Sequence, residues 1–185
     1  VQVSAGWEHS LALTREGRIY SWGSGYKDSR RGVIPPVLGL GSSEAKSSPE
    51  LIASIETVRI VAIGCGWDHC LALDEKGKLL SWGSGQNGKL GLGTEDNVSI
   101  PCYIPTFGEE DDQVEEEGGI EGTKARKKGM VVVHMAAGCE HTAVLTTDGD
   151  VYSWGHGDGG RLGHGSNAQC FTPTKIASVG IMGIQ

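Results

Sequence analysis

The chain has 185 residues, enough for one ordinary domain, and a formal net charge of −7. Residues 109–128 hold eight acids and four bases, so that stretch carries −4 of the total and the rest of the chain only −3. A general role on nucleic acid or an acidic membrane would need a clustered basic face, and none is evident. No apolar run approaches the ~20 residues that span a bilayer, and no signal peptide opens the chain. The five cysteines are odd in number and show no disulfide framework, which favours a reduced intracellular setting, cytoplasmic or nuclear.

Thirty glycines are about double the ~7% usual in soluble proteins, without a collagen period. That excess predicts tight turns between short strands. In chain order, Ser10 to Leu13 and Ile19 to Trp22 are short apolar segments joined by Arg15-Glu16-Gly17-Arg18, a hairpin-like connection. Tyr26 to Val37 is an insertion bearing Arg30, Arg31 and Pro35-Pro36. Val58 to Ile63 reads as a β-branched strand, and Met130 to His134 as its counterpart later in the chain. No stretch carries a 3.6-residue apolar stripe, so the chain is predicted to be all-β.

These elements repeat. Ala5-Gly6-Trp7-Glu8-His9-Ser10-Leu11-Ala12-Leu13 returns as Cys65-Gly66-Trp67-Asp68-His69-Cys70-Leu71-Ala72-Leu73, and again as Ala137-Gly138-Cys139-Glu140-His141-Thr142-Ala143-Val144-Leu145. Each copy reaches a turn glycine (Gly17, Gly77, Gly149), a Ser-Trp-Gly at Trp22, Trp82 and Trp154, and a Leu-Gly-x-Gly at Leu38, Leu90 and Leu162. A proline stands 11 residues after each of those leucines. Gly6 and Gly66 are 60 residues apart, Gly66 and Gly138 72. Removing 8 extra residues before Leu38 and 20 extra after Pro101 leaves 52 in both cases. The repeats therefore run about 1–60 (insertion 26–37), 61–132 (acidic insertion 108–129) and 133–185, each a small antiparallel sheet that needs neighbours to bury its faces.

The pattern resembles the regulator of chromosome condensation repeat, which runs through Ala-Gly-x-x-His-Ser/Thr, Trp-Gly, Leu-Gly-x-Gly and a later Pro. The resemblance implies a β-propeller of four-stranded antiparallel blades, about three of the family's seven being present. It also implies a partial ring whose remaining blades belong to a longer parent chain or, less simply, to other copies.

Several constellations have plainer readings. His9, His69 and His141 occupy one repeat position and are expected to share a structural hydrogen bond. Cys65-x4-Cys70 with His69 looks like part of a zinc site, yet its cysteines align with Ala5, Ala137, Ser10 and Thr142, so no metal is assigned. Gly83-Gly85-Gly88 and Gly155-Gly157-Gly160 match a dinucleotide-binding spacing, but a Leu-Gly-x-Gly turn follows where a helix is required, so no cofactor is assigned. Trp22, Trp82 and Trp154 should pack inside or between blades.

Trp7 and Trp67 differ, because Cys139 replaces them in the third copy. In a light-sensing member of the family, Gly-Trp-Arg-His elements place Trp and Arg on one propeller face. Here Glu8, Asp68 and Glu140 stand where the arginine would be, which argues against light sensing. Trp7, Glu8, Trp67, Asp68 and Glu140 are the candidate partner-binding residues, suited to a protein with a basic surface. Arg30, Arg31, Glu109, Glu110, Asp111 and Asp112, on the two insertions, are candidate loop contacts. The expected function is non-catalytic protein–protein interaction inside a larger intracellular protein, a large ubiquitin ligase among the hosts the family implies. The alternative is guanine nucleotide exchange on a Ran-like small GTPase.

Overall fold

A computed structural model describes residues 1–25, 34–108 and 130–177. Within these residues twelve strands form three four-stranded meanders. Blade 1 comprises β1 (Gln2–Ala5), β2 (His9–Leu13), β3 (Ile19–Gly23) and β4 (Lys46–Leu51). Blade 2 comprises β5 (Ile60–Cys65), β6 (His69–Asp74), β7 (Leu79–Gly83) and β8 (Val98–Tyr103). Blade 3 comprises β9 (Val132–Ala137), β10 (His141–Thr146), β11 (Val151–Gly155) and β12 (Cys170–Lys175). All pairings are antiparallel and sequential, which is the propeller-blade topology the repeat implies. Among the described residues helix is confined to single 3-10 turns, and no helix is long and apolar enough to cross a membrane. One such turn, Gln86–Gly88, occupies the stretch whose glycines imitate a dinucleotide motif.

β5 and β9 begin later than their β-branched runs suggest and extend through the Ala/Cys-Gly element. The cause is cross-strand pairing: Cys65 faces Cys70 and Ala137 faces Thr142, so the strand continues to the turn. The outer strands β4, β8 and β12 have weak sequence signals because they bury few residues and each contains a proline, tolerated on an edge strand.

The cores lie between blades. Leu11, Leu13, Ile19 and Ile52 of blade 1 meet Ile63, Ala72, Leu80 and Trp82 of blade 2. Leu71, Leu73, Leu79 and Ile104 on the other side of blade 2 meet Val132, Val144 and Trp154 of blade 3. Blade 2 is thus covered on both faces, and every residue of β6 and β7 is buried. The outer blades alternate with opposite phase: His9, Leu11 and Leu13 are buried in β2, whereas Thr142, Val144 and Thr146 are buried in β10.

A repeated polar clasp closes each seam. The Trp82 indole N–H donates to Val37 O at 2.9 Å, and the Trp154 indole N–H to Lys89 O at 3.0 Å. The loop glycine after each acceptor, Gly39 or Gly91, has φ of +70° or +74°, and a Cβ there would press on the indole nitrogen. The same carbonyls accept from the next blade's small polar residue, Cys70 Sγ at 3.4 Å and Thr142 Oγ1 at 3.0 Å. Those groups in turn meet the preceding blade's histidine: His9 Nε2 lies 3.1 Å from Cys70 Sγ and His69 Nε2 3.2 Å from Thr142 Oγ1. The repeated histidine is therefore a seam residue. Trp22 is only half-buried, because among the described residues no further blade packs on that face of blade 1.

Candidate functional site

The meander sets which side chains share an end of the molecule. The turn after each inner strand (β1, β5, β9) carries Gly-Trp/Cys-acid and emerges at one end. There Gly6, Gly66 and Gly138 must lack a side chain, because a Cβ would overlap the ring of His9, His69 or His141 folded beneath. The turn backbones are stitched across blades, with Trp7 N–H donating to Trp67 O at 3.0 Å and Trp67 N–H to Cys139 O at 3.4 Å. Together these turns rim a shallow cavity of about 280 Å³ lined by Ala5, Trp7, Cys65, Trp67, Ala137 and Cys139, with the glycines between them.

Trp7 and Trp67 stand at this rim with their rings stacked, centroids 4.4 Å apart and planes inclined by 17°. They are 57% and 37% exposed, which places two large apolar surfaces in solvent side by side. The structure thus gathers Trp7, Glu8, Trp67, Asp68 and Glu140 at one end of the blades.

Their acids are not equivalent. Asp68 is ion-paired to Lys89 at 2.5 Å, and the Lys89 side chain is only 1% exposed. Glu140 lies 3.2 Å from His156 Nδ1, and His156 Nε2 lies 3.2 Å from Asp158. Glu8 is exposed and has no ion-pair partner among the described residues. Lys89 was not singled out by sequence reasoning. Its signal is a charged residue immediately before Leu-Gly-x-Gly, where the first copy has Val37.

The described residues that flank the two insertions lie at opposite ends of the blades. The first joins β3 to β4 and leaves from the tryptophan end; Arg30 and Arg31 lie outside the described residues. The second joins β8 to β9 at the opposite end, where Gly108 and Met130 pair as an isolated bridge; Glu109, Glu110, Asp111 and Asp112 lie outside the described residues.

Beneath the rim, burial drives the His69 pKa down to about 3, with the Lys89 charge adding to the effect. Thr142 spends its hydroxyl proton on Lys89 O, so His69 Nε2 carries the hydrogen and Nδ1 is bare. At the neighbouring seam, a hydrogen bond from Cys70 favours the Cys65 thiolate, while burial pushes the Cys70 thiol up. All five cysteines are free.

Three consecutive meander blades with seam-bound histidines and tryptophans define a β-propeller of the repeat type. Two profiles of the regulator of chromosome condensation (RCC1) repeat match, one at residues 1–28, 60–89 and 132–161, the other at 37–73, 76–115 and 148–182. The chain belongs to this repeat family. It is 36% identical to the ultraviolet-B receptor UVR8 of Arabidopsis thaliana over 97% of its own length and 35% of the receptor's. It is also 36% identical to the human E3 ubiquitin-protein ligase HERC2, again over 97% of the chain but only 3% of the ligase. Among solved structures, yeast RCC1 (Prp20) bound to Kap60 superposes with a TM-score of 0.65 at 26% identity, covering 97% of this chain and 37% of that one. The chain therefore spans about a third or less of these relatives.

Proposed function

We propose that the chain is a non-catalytic protein-interaction segment of a larger intracellular protein, docking its partner through the Trp7–Trp67 end. The observation that carries this reading is the exposed, stacked tryptophan pair over the cavity. Tryptophan buries much area at low conformational cost and dominates interface energetics. Glu8 beside it would meet a basic side chain of the partner, while Asp68 is already neutralised by Lys89. The arrangement suits recognition by a rigid scaffold, in which no bond is made or broken. A large ubiquitin ligase is the favoured host, supported by the likeness to HERC2.

Trp7→Ala with Trp67→Ala should weaken binding to partners of the parent protein at least tenfold, as loss of hot-spot tryptophans does. The melting temperature should fall by less than about 5 °C, since only the stacking contribution is lost. Collapse of the fold, or full retention of the partners, would remove the reading. The likeness to yeast RCC1 supports a second reading, nucleotide exchange on a Ran-like small GTPase. Labelled GDP should leave such a GTPase at its intrinsic rate in the presence of this chain; a large acceleration would favour exchange instead.

A further inference from the structure

We propose that His9, Cys65 and Cys70 form a binding site for a zinc-class divalent cation at the seam between blades 1 and 2. Their ligand atoms all lie within 4.8 Å of one another, and His9 Nε2 is 3.1 Å from Cys70 Sγ. A tetrahedral zinc centre separates thiolate and imidazole donors by roughly 3.5–3.8 Å, given metal–sulfur and metal–nitrogen distances of about 2.3 and 2.0 Å. Small side-chain rotations bring the three atoms to that spacing.

The histidine that completes the group is not the adjacent His69, which turns to Thr142 across the other seam. It comes from the preceding blade, 61 residues from Cys70. Repeat geometry accounts for this. In every blade the residue before the turn glycine faces the residue after the histidine: Ala5 with Ser10, Cys65 with Cys70, Ala137 with Thr142. The preceding blade's imidazole then points at that pair. The seam between blades 2 and 3 has the same arrangement around His69, but with Ala137 and Thr142 it offers no thiolate. Among the described residues only the first seam combines imidazole with two thiols, a donor set suited to zinc and related soft cations.

The chemistry balances without an oxidant. Binding forms three metal–ligand bonds and releases two thiol protons to solvent. The two thiolates cancel the +2 charge, so no net charge is buried between the blades. His9 and Cys70 are buried, while Cys65 is half-buried and lines the shallow cavity beneath the tryptophans, which gives the ion a path and a fourth ligand position for water. The bound ion would tie blade 1 to blade 2 through side chains that otherwise share only hydrogen bonds.

The test is a cobalt titration of the full chain, reduced and stripped of metal by a chelator. One equivalent of Co²⁺ should produce a thiolate-to-cobalt charge-transfer band that Zn²⁺ then abolishes by displacement. Cys65→Ala with Cys70→Ser introduces the residues that the first repeat already holds at these positions, so this variant should fold and lose the band. Cys70→Ser alone, with one thiolate left, should give about half the band, and His9→Gln should weaken binding at least tenfold. Zinc at ~100 times its dissociation constant should raise the wild-type melting temperature by roughly 5–10 °C and leave the double variant unmoved. Absence of the band from folded wild-type chain would overturn the site. So would an equal band in the double variant, because its thiolates would then come from Cys102, Cys139 or Cys170.

Discussion

Single residues at the tryptophan end divide into those available to a partner and those committed to the fold. Asp68 belongs to the second group, because Lys89 is buried and the pair sits 2.5 Å apart. Removing one member of such a pair leaves an uncompensated charge out of water, at a cost of about 3 kcal/mol. Asp68→Ala should therefore lower the melting temperature by roughly 6–12 °C. Adding Lys89→Met, which removes the stranded charge and keeps the volume, should restore most of that loss. If Asp68→Ala is neutral in thermal unfolding, the pair is not buried as described and Asp68 returns to the set of free acids. Glu8, exposed and without an ion-pair partner among the described residues, should tolerate Glu8→Gln without measurable loss of stability.

At the scale of elements, the blade seam is a chain of hydrogen bonds running from histidine to hydroxyl or thiol to loop carbonyl. At the second seam it requires neutral His69: Nδ1 is buried without a hydrogen-bond partner, so a second proton would have no acceptor. The folded pKa is about 3, held down first by burial and then by Lys89, against ~6.5 in the unfolded chain. Between those values the unfolded state binds more protons, so stability rises with pH and is lost as pH falls from about 6.5 towards 3. The slope from His69 approaches about 1.4 kcal/mol per pH unit in the middle of that window. His141 shifts in the same direction, through burial and then Arg161, and adds to it. Urea unfolding between pH 7 and pH 4 should show this loss, and His69→Gln should be less stable at pH 7 but flatter in its pH dependence. An unchanged slope in that variant would mean that another group controls acid sensitivity.

Over the whole molecule, stability is distributed by how many neighbours a blade has. Blade 2 is sandwiched, whereas blades 1 and 3 each bury one face and leave residues such as Ala12, Ala143 and Leu145 half-exposed. Amide hydrogens of β6 and β7 should exchange most slowly, and those of β1 and β12 fastest, in hydrogen-exchange mass spectrometry of the chain by itself. Uniform protection across the three blades would show that the outer faces are covered, by self-association or otherwise. The two ends of the molecule are also separated by topology. The residues that flank the acidic insertion, Gly108 and Met130, lie at the end opposite the tryptophans.

The repeat by itself determined the blades: a 52-residue period, turn glycines and paired short strands are local features, and local features survive in a linear text. The exposure of Trp7 and Trp67 was also legible, because a position that accepts Cys139 is not a fixed core site. What the tertiary structure decided is everything that crosses a seam. Blade 2 does not alternate in burial because both its faces are covered, and that depends on neighbours rather than on β6 itself. Asp68 and Lys89 are 21 residues apart and meet only because the blade closes on itself. His9 reaches Cys65 and Cys70 only because successive blades stack. Spacing along the chain pointed instead to His69, which faces the other way. Residues a full repeat apart meet because the propeller stacks equivalent positions side by side, and no short-range motif records that contact.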